Sequence, residues 1–383
     1  MERPIYLDHH ATTPMDERVL KEMLPYFCEK FGNASSIDHV YGNEAQFAIN
    51  NARQQVANMI NCEPEEIIFT SGATESDNLA IFGIAEKLKD KGNHIITSKT
   101  EHKAVLDSCK HLESMGYDIT YLGVNDNGEI DLKELEANIT PETVLISIMS
   151  ANNEVGTIAS ITEIGEIAHR KGVIFHTDSA QAYGHIPLDV KSMNIDMMSI
   201  SGHKIYGPKG IGALYVRNKN PLVQIAPLIF GGGHEKGFRS GTLNVPSIVG
   251  LGKASEIAKQ EMSESAKRIS KLRDRLFEGI SAKVKVEING NSKNKLSNNL
   301  NLYFEDVDAK ALINEVKDDL AISTGSACNS EDMSPSHVLI AMGMDKERAY
   351  CSVRIGLGKG TTETEIKTAI NIITKIVIKL RNL

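Results

Sequence analysis

Two side chains in this sequence have the types and the placement for one piece of covalent chemistry. Lys204 follows the apolar run Met197-Met198-Ser199-Ile200, at the end of the small polar turn Ser201-Gly202-His203-Lys204. Asp178 closes a second apolar run, Val173-Ile174-Phe175-His176-Thr177, and Gln181 comes three residues later. A lysine amine can form a Schiff base, and a buried carboxylate can hold a pyridine nitrogen protonated. Together they are what a protein must supply to make pyridoxal phosphate an electron sink. Ser201 and His203, beside the lysine, offer hydroxyl and imidazole donors to a phosphate.

Each residue also has a plainer reading. Lys204 alone reads as a solvated turn lysine, and Asp178 alone as the N-cap of a following helix. Their joint occurrence favours the cofactor. Gln181, about one helical turn beyond Asp178, can reach a ring oxygen. Ser71-Gly72-Ala73-Thr74-Glu75 follows the run Ile67–Thr70 and opens a helical pattern. Small residues there admit an anion to free N–H groups, which puts Ala73 and Thr74 at the phosphate. The same stretch reads equally as a capping box built on Ser71 or Thr74. His102, after His94–Thr97, can stack on a ring and move protons, although any one of 12 histidines is more simply structural. Asn153, after Val144–Ile148, either binds cofactor or substrate or shapes its turn.

All of these positions lie just past short apolar runs that alternate with helical patterns from Pro64 to Arg217. That grammar implies crossover connections and a mostly parallel sheet covered on both faces, with its functional loops on one edge. We expect an α/β fold with seven strands in a large domain, residues 15–258. After Gly241 the pattern changes to a long helical stretch from about Val245 to Gly279. Beyond it, short strands at Val284–Val286, Leu300–Phe304 and Ser352–Ile355 mix with helices. We assign residues 1–14 and 259–383 to a smaller α+β domain that carries a polar loop at about 323–335. A chain of 383 residues is long enough for two cores.

Composition narrows the function classes. Hydrophobic residues make up 41% and charged residues 24%, as in an ordinary globular protein. The formal net charge of −8, with no basic stretch, argues against nucleic-acid binding. No apolar run reaches membrane-span length. Met1-Glu2-Arg3-Pro4 leads into Ile5-Tyr6-Leu7 without a signal-peptide pattern, so a cytoplasmic location is expected. Five cysteines, without C-x-x-C or a dense Cys/His cluster, argue against disulfides and a resident metal. Cys328 stands apart, in the small polar stretch Gly325-Ser326-Ala327-Cys328-Asn329-Ser330.

Taken in order, the motifs resemble those of the cysteine desulfurases. These are class V aminotransferase relatives with fold type I, and the similarity is to the group serving iron–sulfur cluster assembly and nitrogenase maturation. The resemblance runs from Tyr6-Leu7-Asp8 with Ala11-Thr12-Thr13-Pro14 and Gly32-Asn33-Ala34-Ser35-Ser36, through Ser71–Ser76, Thr100-Glu101-His102, Asn152-Asn153-Glu154 and Asp178-Ser179-Ala180-Gln181. It continues through Ser201–Lys204 and Gly231–Glu235 to Arg239-Ser240-Gly241-Thr242 and Ser326-Ala327-Cys328. It implies that Lys204 carries the cofactor and moves the substrate proton, with Asp178 at the pyridinium, Gln181 at the ring oxygen and His102 stacked on the ring. It puts Thr74, Ser201 and His203 at the phosphate, joined by Thr242 from the second subunit of a homodimer. Asn153 and Arg354 would hold the substrate carboxylate. Cys328 would take sulfur from L-cysteine as a persulfide, release L-alanine, and pass the sulfur to an iron–sulfur scaffold or another acceptor, tRNA thiolation included. No metal is implied, apart from Cys328 as a candidate transient ligand to a cluster. A selenocysteine or cysteine-sulfinate lyase of the same fold is the alternative. His9 and His10 are given no role, and Asp77 is not relied on.

Overall fold

A computed structural model describes residues 3–291, 293–325 and 334–382. A short strand, β1 (Ile5–Tyr6), comes first. The alternation read from the sequence follows as β2 (Ile67–Thr70), β3 (His94–Ser98), β4 (Asp118–Leu122), β5 (Thr143–Ser147), β6 (Ile174–Asp178), β7 (Met197–Ser201) and β8 (Gly212–Val216). Strands β2 to β8 form one seven-stranded sheet in the order β2-β8-β7-β6-β5-β3-β4. It is parallel from β4 to β7, while β8 pairs antiparallel with both β7 and β2. Away from the edge strand β4, nearly every strand residue is buried. Helices cover both faces, so these strands show no regular inside–outside alternation: apolar residues dominate, and the polar ones, such as Ser147, His176 and Ser199, are buried as well.

On one face the helices Ala73–Lys87 and Lys103–Ser114 pack Leu79, Ile84 and Val105 against Ile95, Leu145 and Leu214. The other face holds a larger core that includes Ile49, Phe69, Phe175, Tyr183, Tyr215 and Ile248. The crossover helix Ile161–Lys171 stops where Gly172 adopts φ 68°, a left-handed cap that glycine takes without a Cβ penalty.

The expected long connector is one 37-residue helix, Val245–Ser281. Its residues up to Ile257 belong to the larger core, and Ile269 to Ile280 belong to a second one. The second core joins Leu7 to residues between 269 and 377. Its strands are β9 (Glu287–Ile288), β10 (Asn299–Tyr303), β11 (Leu320–Ala321) and β12 (Ser352–Gly356). β12-β10-β9 is an antiparallel sheet, and β11 pairs parallel with β1. The strand expected at Val284–Val286 forms further along, at Glu287–Ile288. Val284 and Val286 pack on the second core without pairing. Among the described residues no helix is long and apolar enough to cross a membrane.

Candidate active site

Parallel strands deliver their C-terminal ends to one edge of the sheet, and a cavity of about 610 Å³ lies there. β7 ends at Ser201, and the tight turn Gly202–Lys204 follows, fixed by the Gly202 N–H donating to the Ile211 carbonyl at 3.0 Å. This sets Lys204 in the cavity wall. Its Nζ donates to the Ala11 carbonyl at 2.9 Å and to the His10 carbonyl.

The neighbouring strand β6 ends at Asp178, and its carboxylate lines the same cavity. Oδ1 accepts the Ala180 N–H at 2.8 Å, a local turn bond that coexists with a cavity-facing role. Burial pushes the Asp178 carboxyl above its ordinary range, opposed by His102, the Ala180 N–H and Lys204. Gln181 is also in the wall, but its carboxamide is engaged by His10. Oε1 meets the ring Nδ1 at 2.9 Å, and Nε2 donates to the His10 carbonyl at 3.0 Å.

The helix Ala73–Lys87 starts after Gly72 without a side-chain cap. The Ser71 N–H goes instead to Glu75 Oε2 at 2.8 Å, and Arg239 Nε holds Glu75 Oε1 at 2.9 Å. Neither the Ser71 nor the Thr74 hydroxyl caps the helix, so that reading falls. The first turn, with Ala73 and Thr74, shares the cavity with Ser201, His203 and Lys209. His203 Nδ1 meets Thr12 Oγ1 at 3.0 Å. Burial and the Lys204 and Lys209 charges pull this imidazole down to about 4, so it offers hydrogen bonds at neutral pH and no charge.

His102 is the N-cap of the helix Lys103–Ser114. Its Nδ1 accepts the Ala104 N–H at 3.1 Å, so the ring carries its proton on Nε2. Arg354, on β12, arrives from the second core. Its Nη2 donates to Asp8 Oδ1 at 2.9 Å, and its Nη1 to the carbonyls of Asn153 at 3.0 Å and Gly325 at 3.4 Å. Nε is buried and has no partner among the described residues. The guanidinium thus keeps Nε–H and one Nη2 hydrogen, a two-pronged edge.

Of the expected site residues, Ala73, Thr74, His102, Asn153, Asp178, Gln181, Ser201, His203, Lys204 and Arg354 all line this cavity. Thr242 is exposed and is not part of the wall of its own chain's cavity. Cys328 lies outside the described residues. The sequence reading missed Lys209, His10 and Asp8. Lys209 had a local signal, a turn Pro208-Lys209-Gly210 with φ 76° at Gly210, between two strands of the functional edge. His10 and Asp8 are placed only by tertiary contacts.

The fold is that of a known class: residues 5–368 match the aminotransferase class-V family, and the chain belongs to it. Within the family, the cysteine desulfurase IscS of Rickettsia africae (strain ESF-5) is 53% identical over 381 residues, covering 99% of this chain and 92% of that protein. A solved NifS-like protein superposes with a TM-score of 0.92 at 39% identity, over 99% of this chain and 100% of that one. SspA in complex with cysteine superposes at 0.82 with 42% identity, over 92% and 98%.

Proposed function

We propose that the chain is a pyridoxal-phosphate-dependent L-cysteine desulfurase that converts L-cysteine and the Cys328 thiol into L-alanine and a Cys328 persulfide. The convergence of Lys204, Asp178, His102 and Arg354 on one cavity carries this reading. A relative at 53% identity that is a cysteine desulfurase, and a structural neighbour that holds cysteine, support it.

The residues fit the cofactor. The uncapped first turn at Ala73–Glu75, with Thr74, Ser201, His203 and Lys209, suits a phosphate. A Cβ added at Gly72 or Gly210 would meet nothing within 4 Å, so both leave room in the cavity wall. Lys204 offers the amine, Asp178 the carboxylate for the ring nitrogen and Gln181 a remaining amide hydrogen for the ring oxygen. Bound there, pyridoxal phosphate supplies an electron sink that makes the bond between the substrate's β-carbon and sulfur breakable.

The chain's own groups do the rest. The Nε/Nη2 edge of Arg354 grips the substrate carboxylate beside Asn153. Lys204 Nζ takes and returns the α-proton, and His102 Nε2–H is the second proton-bearing atom at the site. The Cys328 thiolate attacks the substrate sulfur. An S–S bond forms as the C–S bond breaks, its electron pair goes to carbon, and a proton completes the methyl group. Two thiols enter, and a methyl group and a persulfide leave.

The persulfide sulfur passes to an iron–sulfur scaffold or another acceptor protein. We read the working unit as a cytoplasmic homodimer. Exposed apolar side chains gather at residues 24–47 and 222–230, with Phe230 80% and Phe47 68% exposed. The Thr242 segment joins them, since the Gly241 N–H donates to His234 Nδ1 and His234 Nε2 meets Ser35 Oγ, each at 3.2 Å. A second copy seated there would bring its Thr242 close to this region.

The test supplies full-length protein with pyridoxal phosphate, L-cysteine and a reducing thiol. Alanine and sulfide should form in equal amounts. Lys204→Ala should lose both products and the visible absorbance of bound cofactor, and Cys328→Ser should release no sulfide. A wild type that forms neither product, or a Cys328→Ser protein with full sulfide release, overturns the reading.

A further inference from the structure

Among the fully buried acids that the mechanism leaves unused, Asp77 lies nearest the cofactor-facing carboxylate. Asp77 sits in the second turn of the helix Ala73–Lys87, with no exposure to solvent, and neither carboxylate oxygen has a hydrogen-bond partner among the described residues. One of its oxygens, an Asp178 oxygen and a His102 ring nitrogen all lie within 4.8 Å of one another. Two ionised carboxylates at that spacing, away from water, repel strongly, so such a pair holds a proton between its members.

The surroundings decide which member keeps it. Asp178 faces the cavity, accepts the Ala180 N–H and lies in the field of Lys204 and His102. Asp77 has only the Ser199 hydroxyl, itself shared with His176, to favour its charged form. From β6 it faces His176, whose Nε2 is 3.7 Å away, but that ring is committed to Ser147 and Ser199 at 2.9 Å each. Burial holds His176 near 3, so it brings no charge. From β7 it faces only the Ser199 hydroxyl. Across the connection after β3, Glu101 adds a second acid, and His102 is shared with Asp178.

We propose that Asp77 is a positioning residue of the site: a proton-holding carboxylic acid set behind Asp178, which keeps the single ionised charge on Asp178 where it meets the cavity. A charged Asp77 would compete for the proton that Asp178 is there to fix on the cofactor's ring nitrogen. A neutral one leaves Asp178 the only acceptor for it. Burial, the Asp178 charge and Glu101 all push the Asp77 carboxyl well above its ordinary range, against the pull of Ser199. The role rests on the reading that Asp178 pairs with pyridoxal phosphate, but the protonation of Asp77 can be read without it.

Infrared spectra of the full-length protein at pH 7, with and without pyridoxal phosphate, should show a protonated-carboxyl C=O band that is absent from Asp77→Asn and persists when the cofactor is bound. A difference spectrum containing only carboxylate bands overturns the proposal. So does a band that appears only after EDTA is added, because the same three atoms suit a divalent cation. Urea titrations from pH 5 to pH 7 give a second readout. A carboxyl whose folded value is raised loses stability as pH rises toward that value. The folding constant of wild type relative to Asp77→Asn should therefore fall about tenfold per pH unit, and a ratio independent of pH overturns the proposal. If Asp77→Asn does not fold, ¹³C-carboxyl NMR of aspartate-labelled wild type reads the same state. A resonance assigned to Asp77 that is still protonated at pH 7 with cofactor bound supports the proposal, and an ionised one overturns it. A protein that never takes up pyridoxal phosphate fails the cofactor reading separately, leaving the cofactor-free measurements standing.

Discussion

Asp8 and Arg354, 346 residues apart in the chain, meet as an ion pair at 2.9 Å, the arginine side chain only 3% exposed. Asp8 Oδ1 also accepts the Ser323 hydroxyl at 3.0 Å, so one carboxylate ties the N-terminal segment to the second core at the cavity rim. Removing it leaves a buried guanidinium without a counter-charge. Asp8→Ala should therefore cost roughly 3 kcal/mol of stability, read as a lower urea midpoint. A midpoint equal to wild type would show that the pair contributes nothing.

Acid should weaken the fold partly through His176. The ring is fully buried between Ser147 and Ser199, and burial lowers it to about 3. Its folded value lies below the unfolded one, so its stabilising effect is present above about 6.5 and is lost as pH falls through that value toward the folded one. The urea midpoint difference between wild type and His176→Gln cancels the other titrating groups. Wild type should lead at pH 7, and the lead should shrink toward pH 4.5. A lead that holds or grows in acid would contradict the assignment.

A packing contact outside the cavity should control cofactor retention. A Cβ at Gly212 on β8 would collide with the Ile200 carbonyl oxygen and lie 2.6 Å from the Cα of Gly72, the residue before the uncapped helix start. Both obstacles are backbone and cannot rotate away. Gly212→Ala should lower stability by about 3 kcal/mol, the upper end of overpacking costs, and weaken pyridoxal phosphate binding. Gly116, at φ 93° with open space around it, is the comparison: Gly116→Ala should cost about 1–2 kcal/mol of backbone strain and leave cofactor binding intact. Equal cofactor affinity in the two variants would sever the link between Gly212 and the site.

The seven strands of the large sheet could be read from sequence because each carries a short apolar run between helical patterns, a consequence of burial on both faces for every strand but the edge strand β4. Lys204, Asp178, His102 and Asn153 could be read for the same reason, since each follows such a run on the edge where parallel strands end. The misplaced strand at Val284–Val286 shows the limit. Apolar side chains can pack on a core without pairing, and the pattern does not separate the two. Asp8, His10 and Asp77 were missed because their roles come from partners far away in sequence. The Asp8 carboxylate means little until Arg354 arrives, and Asp77 resembles an ordinary helix acid until β6 is laid against it. Gln181 was assigned to the cofactor with no sign that His10 already holds most of its carboxamide.

The weave of β1 into the second core has a consequence for how the protein comes into being. Residues Ile5 and Tyr6 pair with Leu320 and Ala321, and Asp8 bridges to Gly356. The cavity wall at His10, Ala11 and Thr12 therefore leaves the ribosome before either core, and it is held from two sides: by Gln181, His203 and Lys204 of the large sheet, and through β1 and Asp8 by β11 and β12, which are made much later. The large sheet can assemble as its strands emerge, whereas the contacts with β11 and β12 must close across more than three hundred residues, the kind of non-local closure that slows folding. A newborn chain thus has Lys204 just past a finished strand, and the segment that holds it anchored on one side, long before β11 and β12 can anchor the other.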